Sequence, residues 1–472
     1  MTLRSVLLLM LSAFALLARA QSTLPDSVQR ALRAAKISDA GVAVVVQEVG
    51  VHHELLRANA AAAMNPASVM KLVTAYAALD MLGPTYRWKT SVYLDGALSE
   101  GVLKGNLVLK GGGDPRLNVE SFWLMLRALR DKGLREIRGD LVVDRSQFER
   151  NGGSSSDFDG DGFRPYNVLP DALLVNFRSL RFTFMPAPDA STVRIAVEPR
   201  PPALQVVNSL ALSEGACPEG RAFRDLLQPT FEPAQRRATF AGRYPASCGE
   251  KDLHVALLDP NDQVEGVMRQ FWSELGGTWI GAVRDGNAPA GAAPFHVQES
   301  APLAEIVHDE LKLSNNVMSR HLFLTLAYDA NGTPASTQRA ATAVRAWLAR
   351  KGLAAPELVL ENGAGLSRIE RISAGTLAAL LQDAWRSRVM PEFMASLPIT
   401  AFDGTMRKRL KDSAIAGQAH IKTGLLSDAR AIAGYVLTRS GRRLVVVMLV
   451  NHPNAPQAQA AMDALLSWAY EH

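Results

Sequence analysis

The chain has 472 residues, 48% hydrophobic and 21% charged, with a formal net charge of +5. That length implies two or three domains, and that balance implies a sizeable core, which excludes wholesale disorder and fibrous repeats. Past the first twenty residues there is no long apolar segment, which excludes a polytopic membrane protein.

The N-terminus reads as a targeting signal. Arg4 is a short basic start, residues 5–18 are an uncharged apolar run, and Ala18, Arg19 and Ala20 form an A-x-A cleavage site before Gln21. The run is too short for a stable span, with an uncleaved anchor as the alternative. No cysteine follows it, which speaks against a lipoprotein anchor. Residues 1–20 carry Arg4 and Arg19 and no acid, so the mature chain sits near +3. That mild excess is spread along the sequence, with no Lys/Arg block of the kind that grips nucleic acid. The expectation is an exported, periplasmic protein, with peripheral attachment to the membrane surface left open.

Residues 41–49 form a β-branched run that predicts a strand, with a short hairpin partner near residues 53–57. Pro66 breaks the pattern, and residues 68–79 have helical composition and spacing. From about residue 88 to 288 short strands, such as 106–110 and 141–143, alternate with Gly-rich turns, and residues 151–162 read as an exposed loop. The two cysteines, Cys217 and Cys248, lie in this block. An even pair in an exported chain predicts a disulfide closing a loop of about 30 residues, worth about 3 kcal/mol on the chain-entropy model. Two free thiols are the alternative.

Helical character returns after about residue 289. Pro302 opens a helix to about Leu313, and a second runs from about Asn316 to Tyr328. Residues 432–438 and 444–451 flank Arg439, Ser440 and Gly441 as a hairpin, and Pro456 starts a C-terminal helix ending near Tyr470. The pattern predicts one α/β domain, residues 21–87 and 289–472, interrupted by a strand-rich insertion over 88–288 that divides into two subdomains.

Three short motifs carry chemistry. In Ser68, Val69, Met70 and Lys71, a serine and a lysine three apart share one helix face. A lysine in a first turn is disfavoured by the helix dipole, which together with burial lowers its pKa. A neutral lysine beside a serine hydroxyl is a general base for a nucleophile. Alone, the pair equally suits a helix cap with a solvated lysine. In Ser314, Asn315 and Asn316, between two predicted helices, a serine can relay a proton and an asparagine can bond a peptide carbonyl, although a capping turn has the same composition. In Lys422, Thr423 and Gly424, a cation and a hydroxyl suited to a terminal carboxylate stand beside a glycine that permits close backbone approach, although a strand-end turn has the same composition.

The ordered set S-x-x-K, S-x-N and K-T-G marks the serine penicillin-recognising enzymes, the β-lactamases and penicillin-binding proteins. Ser68 and Ser314 stand 246 positions apart. With that spacing, the sequence resembles the class C low-molecular-mass penicillin-binding proteins, the D-alanyl-D-alanine carboxypeptidase/endopeptidase family S13. Gly112 to Pro115, Glu361 to Arg368, and Asp403, Gly404 and Thr405 resemble that family too, as do the paired cysteines.

The resemblance implies a penicillin-binding-protein transpeptidase-like, β-lactamase-like α/β domain whose antiparallel sheet is flanked by helices. It implies Ser68 as acylated nucleophile, Lys71 as its base, Ser314 as proton relay to the leaving amine and Asn316 as a contact to the donor peptide. Lys422 and Thr423, with Gly424, would hold the terminal carboxylate. The N–H groups of Ser68 and Leu425 would form the oxyanion hole, and Arg368 would help bind the stem-peptide side chain. Implied partners are peptidoglycan stem peptides and β-lactams as covalent inhibitors, with no cofactor, no metal and no nucleic acid. A secreted β-lactamase or esterase, or a non-catalytic wall-binding protein, are the rival readings.

This chain departs from the family pattern at Glu361, Ala364, Leu425 and Ser427. Near Tyr166, Asn167 and Val168 no acid aligns securely with the family's contact to the amino end of diaminopimelate. Asp157, Asp159, Asp161 and Gly162 mimic the start of a calcium loop, but Val168 stands where a bidentate Glu belongs. No H-E-x-x-H occurs, and His420 reads as a strand residue.

Overall fold

The computed structural model describes residues 23–51, 54–150, 152–187, 192–328 and 332–472. The predicted signal sequence, His53 and Asn151 lie outside them.

Five antiparallel strands form the central sheet: β1 (Val42–Glu48), β2 (Glu54–Ala58), β3 (Ala419–Leu425), β4 (Ala429–Leu437) and β5 (Arg443–Asn451), in spatial order β3-β4-β5-β1-β2. The near-continuous apolar runs of β1 and β5 follow from burial on both faces. With a side-chain period of two, Ala43, Val45, Val445, Val447 and Leu449 enter one core, while Val44, Val46, Val446, Met448 and Val450 enter the other. The second core is closed by α1 (Asp26–Ala34) and a C-terminal helix (Gln459–Glu471), which contribute Val28, Leu32, Leu465 and Leu466. Each such side chain contributes about 1.5–3 kcal/mol on burial.

The first core surrounds α2 (Lys71–Leu82), in which every residue from Lys71 to Leu79 is buried. A helix apolar all round belongs in the middle of a domain. α3 (Leu303–Leu313) and α4 (Asn316–Thr325) pack beside it. The predicted helices, strand and hairpin therefore appear, with ends moved by a few residues. Further helices at Thr337–Arg350 and Ala374–Arg386 follow Ser336 and Ser373, whose hydroxyls cap them by accepting from the N–H groups of Arg339 and Thr376.

Between α2 and α3 lie two smaller units. In one, strands Lys89–Ser99, Val102–Lys110, Leu141–Asp144 and His296–Glu299 share a sheet packed on helices Val119–Asp131 and Pro260–Glu274. These helices were absent from the strand-rich expectation. Their starts are marked by Asn118 and Asp259, each accepting a bond from a first-turn N–H. The other unit contains strands Leu180–Pro186, Val193–Glu198 and Lys251–Val255, an aromatic core of Phe182, Phe184, Phe240 and Tyr244, and the disulfide Cys217–Cys248.

The insertion is anchored to α4. Trp88 Nε1 donates to Thr325 Oγ1 at 2.9 Å, and buried His321 bonds the Gly113 carbonyl at 3.0 Å and packs edge-on against Phe148. Burial holds His321 near pKa 4, so it is a neutral structural bond rather than a titrating one.

Candidate active site

Ser68 lies in a 3-10 turn, Ala67–Met70, that leads directly into α2. In such a turn side chains three apart eclipse, so Lys71 falls under Ser68. Ala67, Val69 and Met70 are buried, leaving Ser68 as the partly exposed member. Ala67 takes a left-handed φ of 46°. That strained geometry is held by Asn65, whose Oδ1 accepts from the Ala67 N–H at 2.9 Å and whose Nδ2 donates to the Ser367 carbonyl at 2.9 Å.

Lys71 is fully buried. Its Nζ donates to Ser68 Oγ at 3.0 Å, to Asn316 Oδ1 at 2.7 Å and to the Ala364 carbonyl. Burial pulls its pKa down to about 7; Glu310 and Glu370 oppose that shift and Arg320 assists it. The expected lysine beside the serine is thus found in a dry, tightly bonded setting rather than solvated.

Ser314 ends α3 in a left-handed conformation, φ 57°, and the Asn315 side chain caps α4. This sharp junction turns Ser314 and Asn316 toward α2. Lys422, also buried, donates to Ser314 Oγ at 2.8 Å and to the Thr423 carbonyl at 2.7 Å. Burial, followed by repulsion from Lys71, pulls Lys422 well below its ordinary pKa, with Glu310 acting the other way. Thr423 Oγ1 donates to Thr405 Oγ1 at 2.7 Å. Strand β3 is the sheet edge beside Ser68, and a Cβ at Gly424 would meet the Pro66 carbonyl oxygen at 2.6 Å. Glycine is therefore required for the close approach.

The loop supplying the Ala364 carbonyl is organised by buried Glu370. Its Oε1 accepts from the N–H groups of Glu361, Asn362 and Gly363, and its Oε2 from that of Gly365. No local pattern singles out this acid in the sequence; the contacts come from how the loop wraps around it.

A cleft of 750 Å³ opens over Ser68 and is lined also by Phe158, Tyr166, Ser314, Arg368 and Thr423. Arg368 stands on its rim, over the Phe158 ring at 4.5 Å and bonded to Ser427 Oγ at 3.2 Å. Leu425 closes β3 with its side chain 66% exposed. The insertion reaches this cleft directly, for the Tyr166 carbonyl accepts from Asn316 Nδ2 at 3.4 Å. Asp159, part of the calcium-like run, also lines the cleft, and its carboxylate accepts from the Tyr166 hydroxyl at 2.8 Å and from Asn167 Nδ2 at 2.7 Å. Asp157 instead accepts from the Ser154 N–H, and Asp161 pairs with Arg164 and Arg224. The three acids diverge, so they do not form a cation cage. Among the described residues no cluster of His, Cys, Asp and Glu could hold a metal ion.

A serine hydroxyl bonded to a lysine, in a turn entering a buried helix beside an antiparallel sheet edge, is an arrangement that suits a serine hydrolase. Residues 24–471 match the D-Ala-D-Ala carboxypeptidase 3 (S13) family, and the chain belongs to it. It is 26% identical over 437 residues to the D-alanyl-D-alanine carboxypeptidase of Actinomadura sp. (strain R39), covering 89% of this chain and 80% of that protein. It is 24% identical over 418 residues to D-alanyl-D-alanine carboxypeptidase DacB of Haemophilus influenzae, covering 87% and 85%. The crystal structure of penicillin binding protein 4 (dacB) from Haemophilus influenzae superposes with a TM-score of 0.77 at 22% identity, over 95% of this chain and 100% of that one. The fold is thus the penicillin-binding-protein one expected from the sequence.

Proposed function

We propose that this protein is a serine-type D-alanyl-D-alanine carboxypeptidase and endopeptidase that hydrolyses peptidoglycan stem peptides and cross-links through an acyl-enzyme at Ser68. The observation that carries the reading is the meeting of the three motifs in one cleft, with Lys71 bonded to Ser68 and Asn316, and Lys422 bonded to Ser314. Membership of the family supports it.

The geometry supports a task for each group. A neutral lysine has two N–H bonds and one lone pair. If Asn316 Oδ1 and the Ala364 carbonyl take the two N–H bonds, the lone pair is left facing the Ser68 hydroxyl. Ser68 Oγ attacks the carbonyl carbon of the penultimate D-alanine while its proton passes to Lys71. The oxyanion is met by the N–H groups of Ser68 and Leu425. Ser314, bonded to Lys422, relays to the leaving amine the proton that Lys71 took from Ser68 as the C–N bond breaks, so Lys71 is neutral again and Ser314 keeps its hydroxyl. Water then cleaves the ester, releasing the shortened peptide and restoring Ser68. Lys422 and Thr423 hold the terminal carboxylate, which in a cross-link belongs to the residue carrying the leaving amine. A β-lactam enters the same path, its ring amide opened by Ser68, and leaves an ester at the nucleophile.

At the rim, Arg368 and Asp159 present one positive and one negative group to the stem-peptide side chain. Asp159 is the acid that suits the amino end of a diamino acid, in partnership with Tyr166. The substrate places the enzyme in the cell envelope, in keeping with residues 1–20 serving as an export signal. No helix among the described residues is long and apolar enough to cross a membrane.

The testing experiment supplies the purified protein with a pentapeptide ending in D-Ala-D-Ala and with a cross-linked muropeptide dimer. Release of D-alanine from the first and cleavage of the second are expected, both lost in Lys71→Ala with the fold retained. Undiminished turnover by Lys71→Ala would contradict the reading.

A further inference from the structure

The buried carboxyl of Glu310 has no part in the scheme above. It lies on α3 one turn before Ser314, so it shares the face that Ser314 presents to the site. Its side chain is fully buried, and both carboxylate oxygens lack a hydrogen-bond partner. Among the described residues no other carboxylate has both oxygens in that condition. Glu370, equally buried, is committed to four backbone N–H groups. Ser319 of α4 is the hydroxyl beside Glu310, but its single hydrogen goes to the Gly363 carbonyl at 2.9 Å.

A dry, unpaired carboxylate is too costly to persist unless cations or a proton compensate it. The charged groups that face Glu310 are Lys71 from α2 and Lys422 from β3. Glu370 and Arg320 act on Lys71 from its other neighbours, and Lys312 on Glu310's own helix is turned away to Asp403 and the Leu397 carbonyl. Two buried lysines that repel each other therefore share one uncommitted counter-charge.

We propose that Glu310 is a positioning residue for the reaction, a buried counter-charge shared by Lys71 and Lys422 that fixes how many protons the two lysines hold between them. The inference rests on the roles given above to Ser68, Lys71 and Lys422. Its logic is that the two lysines need opposite states: Lys71 must be free of its proton to take that of Ser68, whereas Lys422 must keep its charge to hold a carboxylate. With Glu310 ionised, one proton can stay on Lys422 and the dry cluster is neutral, whereas without it the same protonation state leaves one uncompensated positive charge. Consistent with this, burial raises Glu310 to about 7, and the nearby Ser319 hydroxyl, then Lys71 and Lys422, pull it down. The carboxyl and Lys71 thus titrate as a unit.

Glu310→Gln keeps volume and removes the charge. Acylation by a chromogenic penicillin is measured across about pH 5 to 9, a range centred on the neutral titration of the pair. KM for a D-Ala-D-Ala peptide is measured alongside. Loss of the negative charge disfavours both ammonium forms. The acid limb of the acylation profile should therefore move to lower pH, and KM should rise several-fold as Lys422 loses charge. An unmoved limb and an unchanged KM in a folded variant would overturn the proposal. Glu310→Leu, an apolar replacement, should behave alike if the glutamine variant does not fold. Failure of both to fold would make the carboxyl a structural requirement and also overturn it. Absence of wild-type acylation would instead contradict the function proposed above, so the two failures are distinguishable.

Discussion

Lys71 Nζ stands 2.7 Å from Asn316 Oδ1, joining two residues 245 positions apart across the whole insertion. The bond links α2 to the α3–α4 junction, so the base proposed for Ser68 is oriented by a separate segment of the chain. Asn316→Ala removes an acceptor from a fully buried amine. Acylation by penicillin should fall by about 10²-fold or more, as expected when a general base loses its alignment. Stopped-flow labelling of the folded variant checks this, and a rate within twofold of wild type would be inconsistent with the orienting role.

The acylation rate should depend on pH through the buried lysine. Its pKa lies at about 7, below the ordinary value, chiefly because burial disfavours the ammonium. The sign follows: above about 7 the free amine is present and the rate is on its plateau, and below it the rate falls about tenfold per unit. A profile flat down to about pH 5 would show that no such group controls the step.

Gly365 tests the support behind the nucleophile. It has φ +75°, and a Cβ there would sit 1.8 Å from the Ala67 carbonyl oxygen and 2.8 Å from the Ser68 nitrogen. Gly365→Ala must displace the turn that carries Ser68. A shift of about 1 Å is enough to cost about 10²-fold in rate. The expected result is loss of acylation with a lowered Tm, read by labelling and thermal unfolding.

Arg368 should separate peptide from drug. Its guanidinium lies at the rim, bonded to Ser427 and over Phe158, away from the reacting atoms. Arg368→Ala should lower kcat/KM for a stem peptide by about tenfold, the value of one charged hydrogen bond. Acylation by a small penicillin should change much less. Equal losses for both would place Arg368 in the chemistry instead.

The disulfide should matter for the insertion alone. Cys217 and Cys248 close a 31-residue separation within the second insertion unit, whose core is distinct from those around the central sheet. Replacing both by serine should cost about 3 kcal/mol on the chain-entropy model, seen as earlier unfolding of that unit. Labelling of Ser68 at 25 °C should persist.

The sequence made the residues that meet in the cleft legible because their spacing is local. Ser68 with Lys71, Ser314 with Asn316, and Lys422 with Thr423 are each a short fixed spacing. The central strands were legible too, since residues 42–48 and 443–451 are apolar runs covered on both faces. What the sequence hid depends on long-range closure. Glu310 and Glu370 look like ordinary helix and loop acids, and their burial comes from the packing of α2, α4 and β3 around them. Asp159 was legible as part of an acidic run, but its place at the cleft rests on its bonds to Tyr166 and Asn167. The insertion helices escaped because Asn118 and Asp259 read as turn residues until the amphipathic stretches after them are seen against a sheet.

The central claim is that Ser68 is the nucleophile of a penicillin-recognising peptidase. The most direct measurement is labelling of the purified protein with a fluorescent penicillin, beside Ser68→Ala, with the adduct located by peptide mass. The account predicts one stable adduct on the peptide containing Ser68, absent from the variant. An adduct that survives in Ser68→Ala, or rapid penicillin hydrolysis with no adduct on the wild type, would contradict it.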